Sequence, residues 1–285
     1  MMRTRLSHTL YRLHRAGDPL LLPNAWDFSS AAALAAAGFP AVGTTSLGLA
    51  AAHGFVDGTG ASRSRTLELA AQLGDLSVPV TVDIEAGFSD TPEGVANLVG
   101  HLVDLGIAGI NLEDGRDGGV LASTAEQCSR IRAVKERVPD VFVNARTDTR
   151  WLEVEPSPHL DETRRRIRAY ANAGADGVFV PGVLTAAEIE QLAAAVSVPL
   201  NVLYVPDWYS PTQLAQLGVA RISTGSWLFR ASLAALLAAA SRFRGEQDDT
   251  GCRVPTYGEV QALVESSHGG AISCPQPDAG PAEAP

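Results

Sequence analysis

Eight short apolar runs recur along the chain, most of them leading into a longer stretch of helical character, and this alternation constrains the fold more than any other feature. The runs fall at 20–24, 41–45, 78–85, 109–113, 141–146, 177–181, 200–205 and 221–224, and helices are predicted at 29–37, 92–104, 124–138, 159–173, 186–196 and 211–217. Four of these helices stop at a glycine, in Ala37-Gly38, Leu105-Gly106, Ala173-Gly174 and Leu217-Gly218, the residue that most easily takes the left-handed conformation ending a helix. Strands alternating with helices build a parallel sheet, and eight such units predict an α/β fold of the (β/α)8 TIM type. The 285 residues, 46% of them hydrophobic, suffice to bury one core of that size. A doubly wound sheet fits less well, because the first run leads into Pro23-Asn24-Ala25-Trp26-Asp27 and not into a glycine-rich phosphate loop. Two more helices are predicted at 227–243 and 256–266, so a single domain spans 1–267, followed by a disordered Pro-, Gly- and Ala-rich tail at 268–285.

Several function classes are excluded. The net charge is −10 and no basic cluster is interleaved with aromatics, which argues against nucleic acid as a partner. The Ala/Leu-rich stretch 231–240 is too short to span a bilayer, so no membrane association is expected. The N-terminus carries Arg3, Arg5, Arg12 and Arg15 but neither the apolar core nor the cleavage site of a secretory signal; it reads as a helix covering the barrel bottom, with a transit peptide as the alternative. Cys128, Cys252 and Cys274 fit no metal spacing and suit a reducing compartment, so a cytoplasmic location without structural disulfides is expected. Lys135 is the only lysine and lies in a charged helical stretch, which disfavours Schiff-base and pyridoxal-phosphate chemistry.

In a barrel of this kind the chemistry sits at the C-terminal ends of the strands. Those ends carry Asn24 and Asp27, then Thr45 and Ser46, then Asp83 and Glu85, then Glu113, then Asn144 and Arg146. Asp83 and Glu85 are two residues apart, so an ideal strand would turn both toward the barrel mouth. With Glu113 they form an all-oxygen set suited to Mg2+, or alternatively Mn2+; the plainer reading is three carboxylates that cap helices or pair with arginines. Arg146 reads as a bidentate clamp for a substrate carboxylate or phosphoryl group, or as the salt-bridge partner of Glu113. Thr45-Ser46-Leu47 offers backbone N–H groups and a hydroxyl to an anion, or simply a helix cap.

Over residues 18 to 265 the chain resembles the phosphoenolpyruvate mutase/isocitrate lyase superfamily. The resemblance rests on Pro23-Asn24-Ala25-Trp26-Asp27, on Thr44-Thr45-Ser46-Leu47 leading to His53-Gly54-Phe55-Val56-Asp57, on Asp83-Ile84-Glu85-Ala86-Gly87, on Leu112-Glu113-Asp114 and on Asn144-Ala145-Arg146-Thr147-Asp148. It implies a barrel that exchanges its last helix with a neighbouring subunit, in homodimers or homotetramers. It also implies Mg2+ and a small oxo- or hydroxy-carboxylate substrate that passes through a pyruvate-enolate-like species. By the same resemblance Asp83 is the direct metal ligand, with Glu85 and Glu113 completing the site directly or through water. Ser46 and Leu47 match the substrate-carboxylate loop, flanked by Thr45, and Arg146 matches the substrate arginine, with Asn144 on the same strand. Asp57 matches an acid near the reacting group.

Two departures shape the functional expectation. The lyases of the superfamily carry a cysteine- and histidine-bearing gate after the fourth strand, whereas here Glu113 is followed by Asp114-Gly115-Arg116-Asp117-Gly118-Gly119. The mutases show Asp-x-Asp on the third strand and a gate bearing lysine and asparagine, which are also missing. A short glycine-rich gate closing with Arg116 as its cation is therefore expected. The leading expectation is a Mg2+-dependent C–C lyase of the 2-methylisocitrate type. A phosphonomutase or phosphonopyruvate hydrolase is the second reading, and a metal- and ligand-binding barrel without catalysis the third. His53 stands as a further proton carrier or a packing residue, and Tyr204, Trp208 and Tyr209 either wall the pocket or pack.

Overall fold

A computed structural model describes residues 2–152, 160–245 and 253–266, with residues 2–5 as backbone. The chain opens with α1 (Met2–Leu13), β1 (Leu20–Leu22), β2 (Asn24–Ala25), α2 (Phe28–Ala36), β3 (Val42–Thr44), α3 (Ser46–Ala52), α4 (Arg63–Leu73) and β4 (Val80–Asp83). It continues through α5 (Pro92–Asp104), β5 (Gly109–Glu113), a ribbon of β6 (Gly115–Arg116) and β7 (Val120–Leu121), α6 (Thr124–Arg137), β8 (Phe142–Arg146) and α7 (Leu160–Asn172). The remaining elements are β9 (Gly177–Val180), α8 (Ala186–Ala194), β10 (Leu200–Leu203), α9 (Pro211–Gln216), β11 (Arg221–Ser223), α10 (Trp227–Phe243) and α11 (Tyr257–Ser266).

The nine-stranded sheet runs β1-β11-β10-β9-β8-β5-β4-β3-β2 with parallel pairing throughout. Its two edges, β1 and β2, are one length of chain broken at Pro23, a residue with no N–H to give to a ladder. Leu20–Leu22 pairs with β11 and Asn24–Ala25 with β3, which closes the sheet into the expected TIM-type barrel. Asn24 seals the seam. Its Oδ1 accepts from Thr224 N (3.0 Å), Thr224 Oγ1 (3.2 Å) and Gly225 N (3.0 Å), and its Nδ2 donates to Thr44 O (2.7 Å).

Period-two alternation sorts the strand residues. Val80, Val82, Ile110, Leu112, Val143 and Ala145 face outward into one apolar cluster with α4, α5 and α6, while Val178, Val180, Leu200, Val202 and Ile222 join α8 and α9 in a second. The barrel interior is polar: Thr81, Asn111, Asn144, Asn201, Arg221 and Ser223 are all buried there. Leu10, Leu20, Leu22 and Phe142 close the floor, with α1 against it, and the His14 ring stacks on Phe142 at 4.2 Å between centroids.

Three local features depart from the sequence expectation. β4 ends at Asp83, and Glu85 adopts a left-handed φ of 49°, so the two acids do not share one strand face. Helices α3 and α4 fill the connection to β4, and the glycine-rich stretch after β5 is an antiparallel β6–β7 hairpin. The described residues from 229 onward, 229–245 and 253–266, belong to a second compact unit, within which Arg230 Nη1 donates to Pro255 O (2.8 Å) and Thr256 and Glu259 cap α11 reciprocally (2.7 and 3.2 Å). The expected tail at 268–285 lies outside the described residues. Among the described residues, no helix is long and apolar enough to cross a membrane.

Candidate active site at the barrel mouth

The mouth is built from the C-terminal ends of β4, β5 and β8. Asp83, the last residue of β4, is held at its backbone, where its N–H donates to Thr44 Oγ1 (2.9 Å). Its Oδ1 accepts from Glu85 N (3.0 Å), which locks the turn that swings Glu85 aside. The Glu85 carboxylate thereby reaches Gly60 N (2.9 Å) and Ser62 Oγ (2.6 Å), tying the 53–62 loop to the mouth. Burial pushes the Glu85 carboxyl up to about 7, against the pull of the Ser62 hydroxyl and with the help of the Asp57 and Asp83 charges.

Arg146 ends β8 and spans two acids: Nη1 lies 2.7 Å from Glu113 Oε2, and Nε lies 2.6 Å from Asp148 Oδ1. Both guanidinium and Glu113 carboxylate are 13% exposed, and Asp148 is 2% exposed, so this ion triad is largely shielded from water. Phe179 and Trp151 flank the guanidinium carbon, each with its ring centroid at 5.8 Å. Burial opposes the charge on Arg146, but Asp148, Glu113 and Asp83 outweigh it and drive its pKa above the ordinary arginine value. Glu113 is raised by burial and by Asp148, Asp83 and Asp57, with Arg146 opposing, and Asp148 is raised to about 6 by burial and by Asp114.

The other expected site residues are placed as follows. Thr45 is the N-cap of α3, its Oγ1 accepting from Gly48 N (3.5 Å), and Ser46 and Leu47 form the first turn beside the mouth. Asn144 lies one layer below Arg146, donating Nδ2 to Asn111 Oδ1 (2.9 Å). Arg116 is turned toward α6: its Nη1 donates to Glu113 O (3.2 Å) and Gly115 O (2.8 Å), and its Nη2 meets Glu126 Oε1 (3.1 Å). His53 bonds back to Leu49 O (2.9 Å) in its own helix. Trp208 and Tyr209 line an apolar pocket with Leu184, Val202 and Leu214, and Tyr204 packs edge-on against Trp227.

Charge decides which group this site fits. Asp57, Asp83, Glu85, Glu113 and Asp148 act on one another through the shifts above, against Arg146 at the mouth and the fully buried Arg221 beneath it. Among the described residues, no three such side chains already converge as a ligand set. The Arg146 and Ser62 contacts explain this, since they occupy Glu113 and Glu85. The excess of buried and half-buried carboxylate oxygens still fits a hard divalent cation, whose charge relieves their mutual repulsion.

Comparison with known proteins agrees with this geometry. Residues 10–244 match the family described as phosphoenolpyruvate phosphomutase. The chain belongs to the phosphoenolpyruvate mutase/isocitrate lyase superfamily. An uncharacterised Mycobacterium tuberculosis protein is 43% identical over 90% of this chain and 96% of its own length. The phosphoenolpyruvate phosphomutase of Streptomyces hygroscopicus is 31% identical over 83% of this chain and 79% of its own, and the 2-methylisocitrate lyase of Bacillus subtilis 30% over 66% and 64%. Among crystal structures, a candidate phosphonomutase from Burkholderia cenocepacia superposes with a TM-score of 0.79 at 38% identity, covering 85% of this chain and 99% of its own. Members of this superfamily are enzymes, among them phosphonomutases, lyases and hydrolases, and this chain is an enzyme of that superfamily.

Several residues outside the sequence expectation organise this superfamily member's mouth. Asp148 stands in the quoted Asn144–Asp148 motif but had no role, although it holds one side of Arg146. Arg221 donates Nη2 to Asn111 Oδ1 (3.1 Å) from the barrel interior, and its signal was the polar-apolar-polar order Arg221-Ile222-Ser223. Ser62 had no signal, because its partner Glu85 is 23 residues away.

Proposed function

We propose that this enzyme cleaves a C–C bond in a small α-oxo or α-hydroxy carboxylate through an enolate, in the manner of a 2-methylisocitrate lyase, with Mg2+ as its cofactor. The observation that carries the reading is the Arg146 guanidinium suspended between Glu113 and Asp148 beside Asp83. Enzymes of the superfamily depend on Mg2+, and Asp83, with Glu113 and Glu85 directly or through water, would hold the ion here. A divalent cation in that place supplies electrophilic stabilisation of an enolate oxygen. Arg146 binds the substrate carboxylate by rotating its fork from Glu113, and the Ser46 and Leu47 N–H groups behind the Thr45 cap receive the second anionic group. Glu113, relieved of Arg146, is free to serve the metal. Asp57 takes or returns the proton, and Phe179 and Trp151 keep water from the guanidinium. Asn144 acts from below, and Arg116 reaches the substrate only if the β6–β7 hairpin releases Glu126. The enzyme works as a cytoplasmic homodimer or homotetramer; α10 supports this assembly, exposing Leu236, Leu237 and Phe243 by 63, 46 and 93%.

Calorimetric binding of oxalate, an analogue of the pyruvate enolate, tests the site. Mg2+-dependent binding is expected, and its loss in Asp83→Ala; binding that ignores Mg2+ or survives the substitution overturns the reading. Phosphonomutase or phosphonopyruvate hydrolase activity is the second reading, favoured by the 38% identity to the candidate phosphonomutase of Burkholderia cenocepacia. Faster turnover of phosphonopyruvate than of 2-methylisocitrate would put it first.

A further inference from the structure

Asp114, next to Glu113, is fully buried, yet it does not face the mouth. Its Oδ1 accepts from Asp148 N (2.8 Å), and its Oδ2 accepts from Thr147 Oγ1 (2.8 Å), Arg166 Nη1 (2.9 Å) and Tyr170 OH (2.6 Å). Its own N–H donates to Arg146 O (3.2 Å). Every one of these bonds grips the turn that follows Arg146 or the helix α7 behind it. The same hub holds the end of the hairpin: Ala122 N donates to Asp114 O (2.8 Å), and Arg166 Nη1 also donates to Ala122 O (2.8 Å). At the start of the hairpin, a Cβ added to Gly115 would run into Asp148 Oδ2.

We propose that Asp114 is the positioning residue of the arginine clamp. By fixing Thr147 and Asp148 it sets where the Arg146 fork points, and through Arg166 and Ala122 it makes the hairpin and the clamp one mechanical unit. A carboxylate is the side chain for this task, since one group accepts four hydrogen bonds from donors on β8's exit and α7. This rests on the reading of Arg146 as the substrate-binding cation.

Asp114→Asn turns an amide N–H2 toward buried donors and risks unfolding, so the pair Thr147→Val and Thr147→Ser carries the test. Oxalate binding is measured by calorimetry in excess Mg2+, and Mn2+ binding without oxalate by electron paramagnetic resonance. The expected result is at least a fivefold weaker oxalate affinity in Thr147→Val, restoration to within twofold of wild type in Thr147→Ser, and unchanged Mn2+ affinity in both. Wild-type oxalate affinity in Thr147→Val overturns the proposal, as does a parallel loss of Mn2+ and oxalate, which would mark a merely structural bond. If the wild-type protein itself fails to bind oxalate, the enolate reading falls and this proposal with it.

Discussion

Arg146 is the residue on which the mouth turns, because its geometry and not only its charge is used. Nε and Nη1 point to different acids from one rigid plane, an arrangement that a lysine ammonium on a flexible stem cannot reproduce. Arg146→Lys should therefore keep the charge but lose the fork, weakening oxalate affinity about tenfold, or about 1.4 kcal/mol. Calorimetry on the folded variant checks this, and an affinity within twofold of wild type would show that only the charge matters. The site residues were legible where type and strand-end position suffice, as with Asp83, Glu113 and Arg146. Glu85 was legible as an acid but not in its direction, because a left-handed turn after Asp83 overrides the strand period that placed it. The glycines flanking Arg116 suggest a gate cation, whereas its tie to Glu126 on α6 depends on a fold no local pattern contains.

Among the elements, the split strand β1–β2 carries the greatest consequence for so short a segment. Pro23 interrupts the ladder where the barrel closes, and Asn24 replaces the missing ladder bonds with side-chain ones. Asn24→Ala would leave Gly225 N and Thr44 O without those partners in a partly buried seam, with Thr224 N keeping only its 3.3 Å bond to Leu22 O, at a cost of about 3 kcal/mol. Urea unfolding at pH 7.5 measures it, and a loss under 1 kcal/mol would mean that water repairs the seam. Strand positions were legible to within a few residues because apolar runs and glycine stops mark them directly. Helices α3 and α4 were not, since Ser46–Ala52 is short and rich in glycine and alanine, and Arg63–Leu73 opens with no side-chain cap bond at Ser62. Ser62 spends its hydroxyl on Glu85 instead, so the site and the helix start compete for one group.

For the whole molecule, floor and mouth respond to acid in opposite directions. At the floor, burial and the nearby Arg221 charge lower His14 to about 3, and its Nε2 is buried without a partner. The folded protein therefore keeps His14 neutral, while the unfolded chain takes up a proton as pH falls below about 6.5. Its contribution to stability is full above that pH and drains away toward pH 3. At the mouth, Glu85 is raised to about 7 and Asp148 to about 6, so the folded state binds protons before the unfolded chain does, and these groups add stability as pH falls from 7 toward 4. The two trends mask each other in a simple pH profile, and His14→Phe separates them while keeping an aromatic ring over Phe142. Relative to wild type, the variant should gain about 2 kcal/mol on moving from pH 7.5 to pH 5, the amount a single proton withheld from the folded state supplies. Urea unfolding of both proteins at the two pH values measures that difference; equal changes would mean His14 is protonated in the folded barrel. Saturating Mg2+ acts on the other end alone: a cation among the mouth carboxylates favours their charged forms, so it should stabilise wild type and His14→Phe equally at pH 7.5 and less at pH 5. A Mg2+ effect that differed between the two proteins would show floor and mouth to be coupled through Arg221.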